Sequence, residues 1–143
     1  MIKPDGVTAR AIGTVIRTFE DAGLNLRAAA LRRITAHQAR DLYAVHSARP
    51  FFESLVEYVT EGPVFLMAWE GKDVVPTIRS LIGATDPSLA EAGTIRALFG
   101  TSKSRNAIHA SETLSDALRE VSIFFEDSDL FFYNVSTSLT SDL

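Results

Sequence analysis

The chain has no cysteine among its 143 residues, so a disulfide framework, a thiolate-held zinc and a cysteine nucleophile are excluded. It also lacks a basic surplus: 14 Lys and Arg stand against 18 Asp and Glu, a formal net charge of −4. A dedicated nucleic-acid binder gains affinity by displacing phosphate counterions, so nucleic acid is not an expected partner. No apolar run approaches the ~18 residues of a membrane span. The first residues show no signal-peptide pattern either, so no membrane partner is expected and the expected location is cytoplasmic. No G-x-G-x-x-G and no G-x-S-x-G occurs, which removes the usual dinucleotide fingerprint and nucleophile elbow. Gly100-Thr101-Ser102-Lys103-Ser104 imitates a P-loop, but Ser102 stands where that loop needs glycine before the lysine. His37, His46 and His109 share no metal-ligand spacing. The sequon Asn134-Val135-Ser136 reads as chance.

What is present is ordinary globular material, 46% hydrophobic and 22% charged, enough for one domain with a continuous core. Ile12, Val15, Ile16 and Phe19 recur at helical spacing up to Gly23. Leu24, Leu26, Ala28 and Ala30 alternate as a half-buried strand. Thr35 is placed to cap a helix with Ala39, Leu42, Tyr43 and His46 inward. Pro50 is placed to open another, carrying Phe52, Leu55, Val56 and Val59. Val64 to Trp69 reads as a buried strand between Gly-Pro and Glu-Gly. Asp73 is placed to cap a helix ended by Gly83. Ala84 to Arg105 has little periodicity and reads as a long loop. Asn106 to His109 reads as a brief strand, followed by a helix with Leu114, Ala117, Leu118, Val121 and Phe125 on its inner face. Thr113 and Asp116 have capping-box spacing. Residues 1–133 form the predicted domain and residues 134–143 a polar tail. The alternation of strands and helices predicts an α+β fold, simplest as a ferredoxin-like βαββαβ antiparallel sheet covered by helices.

His109 stands out because Arg79, Thr85, Arg96, Lys103 and Arg105 lie in or beside the loop that leads to it. Several cations feeding a histidine suit phosphate chemistry. A solvated charged loop and a packed structural histidine fit the same composition equally well.

Six motifs in unbroken order resemble one family, the nucleoside diphosphate kinases. These are Ile2-Lys3-Pro4-Asp5-Gly6, Tyr43 with Arg49-Pro50-Phe51-Phe52, Gly62-Pro63-Val64 with Trp69-Glu70-Gly71, Gly83-Ala84-Thr85-Asp86-Pro87 with Gly93-Thr94-Ile95-Arg96, Asn106-Ala107-Ile108-His109-Ala110-Ser111, and Arg119-Glu120. The resemblance implies ping-pong transfer of a γ-phosphate from a nucleoside triphosphate such as ATP to a nucleoside diphosphate, through a phosphohistidine at His109. It implies that Glu120 orients the imidazole with support from Ser111. Tyr43, Arg79, Thr85 and Arg96 would hold phosphates, with Mg²⁺ bridging phosphate oxygens rather than bound by side chains. Lys3 and Asn106 would reach sugar hydroxyls, Lys3 also approaching the transferred phosphate. Phe51 would stack on the base with Leu55 beside it, which implies broad base tolerance. A homo-oligomer, hexamer or tetramer, is implied as well. The sequence departs from the family pattern at Val45, Ala97-Leu98, Lys103, Ala110 and Glu112. Val45 replaces an acidic residue and points to a looser Mg²⁺ dependence. Family members carry several residues before the Ile-Lys-Pro-Asp motif, so the chain reads as either naturally short or a fragment. The alternative expectation is a weak or inactive relative that binds nucleotide or acts as a scaffold.

Overall fold

The computed structural model describes residues 1–135; all but the first two residues of the predicted polar tail lie outside them. Strands β1 (Asn25–Arg32) and β2 (Val64–Glu70) pair antiparallel. Ile2 then bridges antiparallel to Phe65 on one side and to Ile108 on the other. The lateral order is therefore β1, β2, Ile2, Ile108, which is the ferredoxin-like order expected from the sequence. The first and last predicted strands are present only as these single bridges. Lys3 already leaves the sheet, as N-cap of a short helix, α1 (Pro4–Thr8), that begins at Pro4 because proline presets a helical φ and needs no donor there.

β2 divides the core in two. Val64, Leu66 and Ala68 pack into one cluster with Leu42, Tyr43, Val56, Tyr58, Val59 and Phe125. Phe65, Met67 and Trp69 point the other way, against Ile2, Val15, Phe19, Leu24, Ile82, Ile95 and Ile108. Strand alternation thus gives each face its own apolar layer. Helices α3 (Ala36–Leu42), α4 (Phe52–Thr60) and α7 (Leu114–Phe124) serve the first face; α2 (Ile12–Asp21) and α5 (Val74–Ile82) serve the second. Thr35 caps α3 through a full capping box with Gln38, as its spacing predicts.

Five local expectations need correction. The stretch read as a loop holds a 3₁₀ turn (Pro87–Leu89) and a helix, α6 (Ile95–Phe99), capped by Thr94; so short a helix cannot display a helical period. Helix α3 stops at Leu42, and Tyr43 leads into a separate 3₁₀ turn (Ala44–His46). Asp73 precedes α5 in left-handed backbone (φ 51°) and makes no side-chain cap, since an N-cap works from extended backbone. Thr113 accepts from Asp116 N–H, but Asp116 takes a bond from the Thr113 hydroxyl instead of closing a box. Finally, Leu114 and Leu118 of α7 are 62% and 69% exposed, while the residue this helix buries is Glu120.

At the outer edge of β1, the register slips between Leu26 and Ala28, leaving Arg27 as a bulge. Its carbonyl accepts Phe131 N–H at 2.9 Å. Its guanidinium lies 5.2 Å from the Phe132 ring and 5.1 Å from the Tyr133 ring, and pairs with Glu70.

Candidate active site

His109 enters the sheet edge through a tight turn. Ala107 has φ 71°, and Ile108 N–H bonds back to Asn106 O at 2.9 Å. An i to i+2 bond around a positive φ is a rare, strained γ-turn, with a cost of about 1–3 kcal/mol in a residue that has a side chain. After it, His109 N–H donates to Met1 O at 2.9 Å, which fixes the backbone.

The imidazole is held from α7. His109 Nε2 stands 2.8 Å from Glu120 Oε1, and the Ser111 hydroxyl donates to the other carboxylate oxygen. A carboxylate can only accept, so Nε2 carries the proton and Nδ1 keeps the lone pair. The Tyr43 ring meets the imidazole edge-on at 5.3 Å. Burial lowers the His109 pKa from its usual 6.5, outweighing the contrary pull of Glu120. Burial pushes the Glu120 carboxyl up, but hydrogen bonds from His109 and Ser111, with the charges of His109 and Arg119, bring it below its usual range. The pair is therefore set as neutral imidazole and carboxylate near neutral pH.

A second group of side chains gathers beside this pair. Lys3, only 6% exposed, donates from Nζ to Asn106 Oδ1 at 2.8 Å. Burial, then the nearby charge of Arg96, lowers its pKa to about 8. Asn106 Nδ2 donates to Thr85 O at 3.0 Å and Lys103 O at 3.2 Å, tying the long connection to the turn. Arg96, 8% exposed, donates to Gly83 O at 3.1 Å and to Ile108 O at 2.8 Å. Gly83 has φ 85°, and a Cβ there would stand 2.5 Å from Thr94 Oγ1, so glycine alone permits this approach. Among the described residues three buried side-chain polar atoms have no partner: Arg96 Nε and the Tyr43 hydroxyl, both here, and Trp69 Nε1. Burial, then the charge of Arg79, lowers the Arg96 pKa, and burial raises that of Tyr43.

Of the residues singled out in the sequence, His109, Glu120, Ser111 and Tyr43 are joined in one group, Lys3, Asn106 and the Thr85 carbonyl in a second, and Arg96 bonds the Ile108 carbonyl next to His109. Arg79 lies near the end of α5 and acts on Arg96 through its charge. Phe51 and Leu55 stand apart: the Phe51 ring is 50% exposed and tilts against His46 at 5.6 Å, and Leu55 packs on the α3–α4 core. Sequence reasoning passes over Asp5 as a contact and Tyr58 altogether. Asp5 accepts Ala107 N–H at 3.0 Å and the Tyr58 hydroxyl. Nothing about an alanine signals the positive φ at Ala107, but a carboxylate directly after Pro4 is a visible cue. A hollow of about 100 Å³ also opens near His109, between Trp69, Ile78, Ala117 and Val121. Its lining holds no lysine or arginine; the buried cations Lys3 and Arg96 lie outside it.

Fold and site define a class: a ferredoxin-like α+β domain that presents a carboxylate-tethered imidazole beside buried cations. Comparison with known proteins narrows it. The family model described as nucleoside diphosphate kinase matches residues 1–130. The nucleoside diphosphate kinase of Halalkalibacterium halodurans is 48% identical over 134 residues, 94% of this chain and 91% of that protein. The orthorhombic crystal form of the Aquifex aeolicus nucleoside diphosphate kinase superposes with TM-score 0.89 at 37% identity, covering 91% of this chain and 94% of that one. A halophilic nucleoside diphosphate kinase from Halobacterium salinarum, solved in complex with CDP, gives TM-score 0.90 at 39% identity, covering 96% of this chain and 91% of that one. The chain belongs to the nucleoside diphosphate kinase family.

Proposed function

We propose that the protein is a nucleoside diphosphate kinase that works by ping-pong transfer through His109. The observation that carries this reading is the His109–Glu120–Ser111 tether set against the Lys3, Asn106 and Arg96 cluster. In the first half-reaction the Nδ1 lone pair bonds to the γ-phosphorus of a nucleoside triphosphate. The bond to the β,γ-bridging oxygen breaks and a nucleoside diphosphate leaves. In the second half a different diphosphate's terminal oxygen takes the phosphoryl group from Nδ1. Throughout, Nε2–H stays on Glu120, which steadies the charge that develops on the ring. Phosphoryl transfer asks mainly for positioning and charge neutralisation, and the cationic wall supplies both.

The unpartnered Arg96 Nε and Tyr43 hydroxyl suit phosphate oxygens. Among the described residues no three His, Asp or Glu side chains converge to hold a metal ion. Mg²⁺ would be carried on the nucleotide's phosphates rather than on side chains, and would supply charge neutralisation there. Lys3, Tyr43, Thr85, Asn106 and Arg96, with Arg79 at the rim, bind the phosphate and sugar end. Phe51 offers an exposed ring to the base with Leu55 behind it. Stacking reads a π face that every base has, so base tolerance is broad. Leu114, Leu118, Phe131 and Phe132 on the surface support a homo-oligomer, hexamer or tetramer. Soluble nucleotides as substrates, and the absence among the described residues of a helix able to cross a membrane, support a cytoplasmic location. Incubation with γ-labelled ATP should yield an acid-labile, base-stable phosphoprotein that passes its label to a second diphosphate. Labelling of His109→Ala at the parental level would sink the reading.

A further inference from the structure

The turn that delivers His109 is held in an unfavourable backbone conformation, and such a conformation persists only where its surroundings over-determine it. Three contacts do so. Ala107 N–H donates to Asp5 Oδ2 at 3.0 Å. Ala107 O accepts Lys3 N–H at 2.8 Å. Gly6 packs so closely that an added Cβ would stand 2.5 Å from Ala107 O. All three come from residues 3–6, where the chain leaves the sheet for α1.

Asp5 is itself held. Its second oxygen accepts the Tyr58 hydroxyl from α4, and the Tyr58 ring is covered by the Arg105 guanidinium at 4.6 Å. Arg105 is in turn paired with Glu61 at 3.1 Å. The carboxylate therefore stands between a core helix and the turn. On one side of that turn Asn106 holds Lys3 Nζ, and two residues beyond Ala107 lies His109. Any relaxation of Ala107 toward an ordinary φ would change the spacing between the cation and the imidazole.

We propose that Asp5, steadied by Tyr58, is a positioning residue for phosphoryl transfer: its grip on Ala107 N–H maintains the γ-turn and so sets His109 against Lys3 and Asn106. Neither Asp5 nor Tyr58 contacts the imidazole; both act through the turn. The proposal rests on His109 being the phosphate acceptor.

The test compares Asp5→Asn, Asp5→Ala, Tyr58→Phe and the double variant Asp5→Ala/Ala107→Gly. Three quantities are read in each: single-turnover phosphoenzyme formation, ADP affinity, and hydrogen exchange of the residue 107 amide. Asp5→Ala should label about tenfold to a hundredfold more slowly, the scale of a misplaced reacting group, with ADP affinity changed far less and the amide deprotected. Asp5→Asn keeps an acceptor for that amide and should lose less. Tyr58→Phe should lose least. Glycine adopts positive φ without penalty, so Ala107→Gly should return part of the rate to Asp5→Ala, which lost stability alone does not predict. The idea is overturned if Asp5→Ala labels at the parental rate per folded molecule, or if its amide stays protected. It is also overturned if the glycine variant recovers nothing. Should Asp5→Ala not fold, Asp5→Asn and Tyr58→Phe decide, each overturning it by labelling at the parental rate with an equally exposed amide. A parent that takes no label would refute the kinase reading instead, and amide exchange in the variants would still decide the clamp.

Discussion

On the α7 side of His109, Glu120 accepts from both the imidazole and Ser111, leaving that carboxylate fully engaged. On the other side, Arg96 donates from its two terminal nitrogens to backbone carbonyls yet leaves Nε unpaired, and the buried Tyr43 hydroxyl has no partner. The first half is finished by the protein's own contacts; the second is a set of cations and donors held at a desolvation cost. A buried unpaired donor costs about 1–3 kcal/mol, and a group held that way gains most when an anion arrives. On the proposed reading the His109 half serves orientation and the cation half binding.

That division can be broken at several points. His109→Ala removes the acceptor itself and should abolish labelling, a loss of about 10³-fold or more, measured by acid-labile incorporation. Arg96→Ala should strike binding next, weakening ADP about 30-fold to 10³-fold by calorimetry, as truncation of a buried hydrogen-bonded charge does. Glu120→Ala should slow labelling about 10²-fold while nearly sparing ADP affinity; an equal loss of both would erase the distinction between the halves. The two halves should also separate by pH. Labelling should fall as pH drops through the His109 pKa, which lies below 6.5, because protonation removes the lone pair. Nucleotide affinity should fall as pH rises through about 8, where Lys3 loses its charge, by about threefold to tenfold for one partly screened contact. An unperturbed lysine would hold until 10.5, so a pH titration of ADP binding checks the sign directly. Phe51→Ala should cost least, about 1 kcal/mol of affinity, the low end for a stacked base, and alike for purine and pyrimidine diphosphates.

Elements with a repeating apolar pattern are legible in the sequence itself. Val15 and Phe19 on α2 and Val56 and Val59 on α4 bury as their spacing requires, and the continuous apolar run of β2 supplies both core layers. Thr35 with Gln38 marks a helix start because both partners of a capping box lie three residues apart. What escapes is short or non-local. Helix α6 is little more than one turn of chain, and its importance lies in burying Arg96 rather than in an apolar stripe. Asp5 and Tyr58 lie 53 residues apart, and nothing near either announces the other. On α7 the spacing marks an apolar face, yet Leu114 and Leu118 look outward while Glu120 turns in. The helix is oriented by its bond to His109 as well as by packing, so the site overrides the pattern. Site chemistry is legible only through the ordered motifs; no single one of those residues announces itself by spacing.

The bulge at Arg27 has a consequence for how this molecule behaves among copies of itself. β1 is the outermost strand, and an outer strand with free amides and carbonyls invites another chain to continue the sheet. By swelling the strand at Arg27 and turning its carbonyl toward Phe131 N–H, the chain makes its own later residues occupy that margin. Tyr133 adds a second tie to the Leu26 carbonyl at 2.7 Å, and the guanidinium anchors both aromatic rings. Residues 131–133 thereby form a selvedge along the Leu26–Arg27 end of that strand, a stitched border that leaves aromatic surface on show.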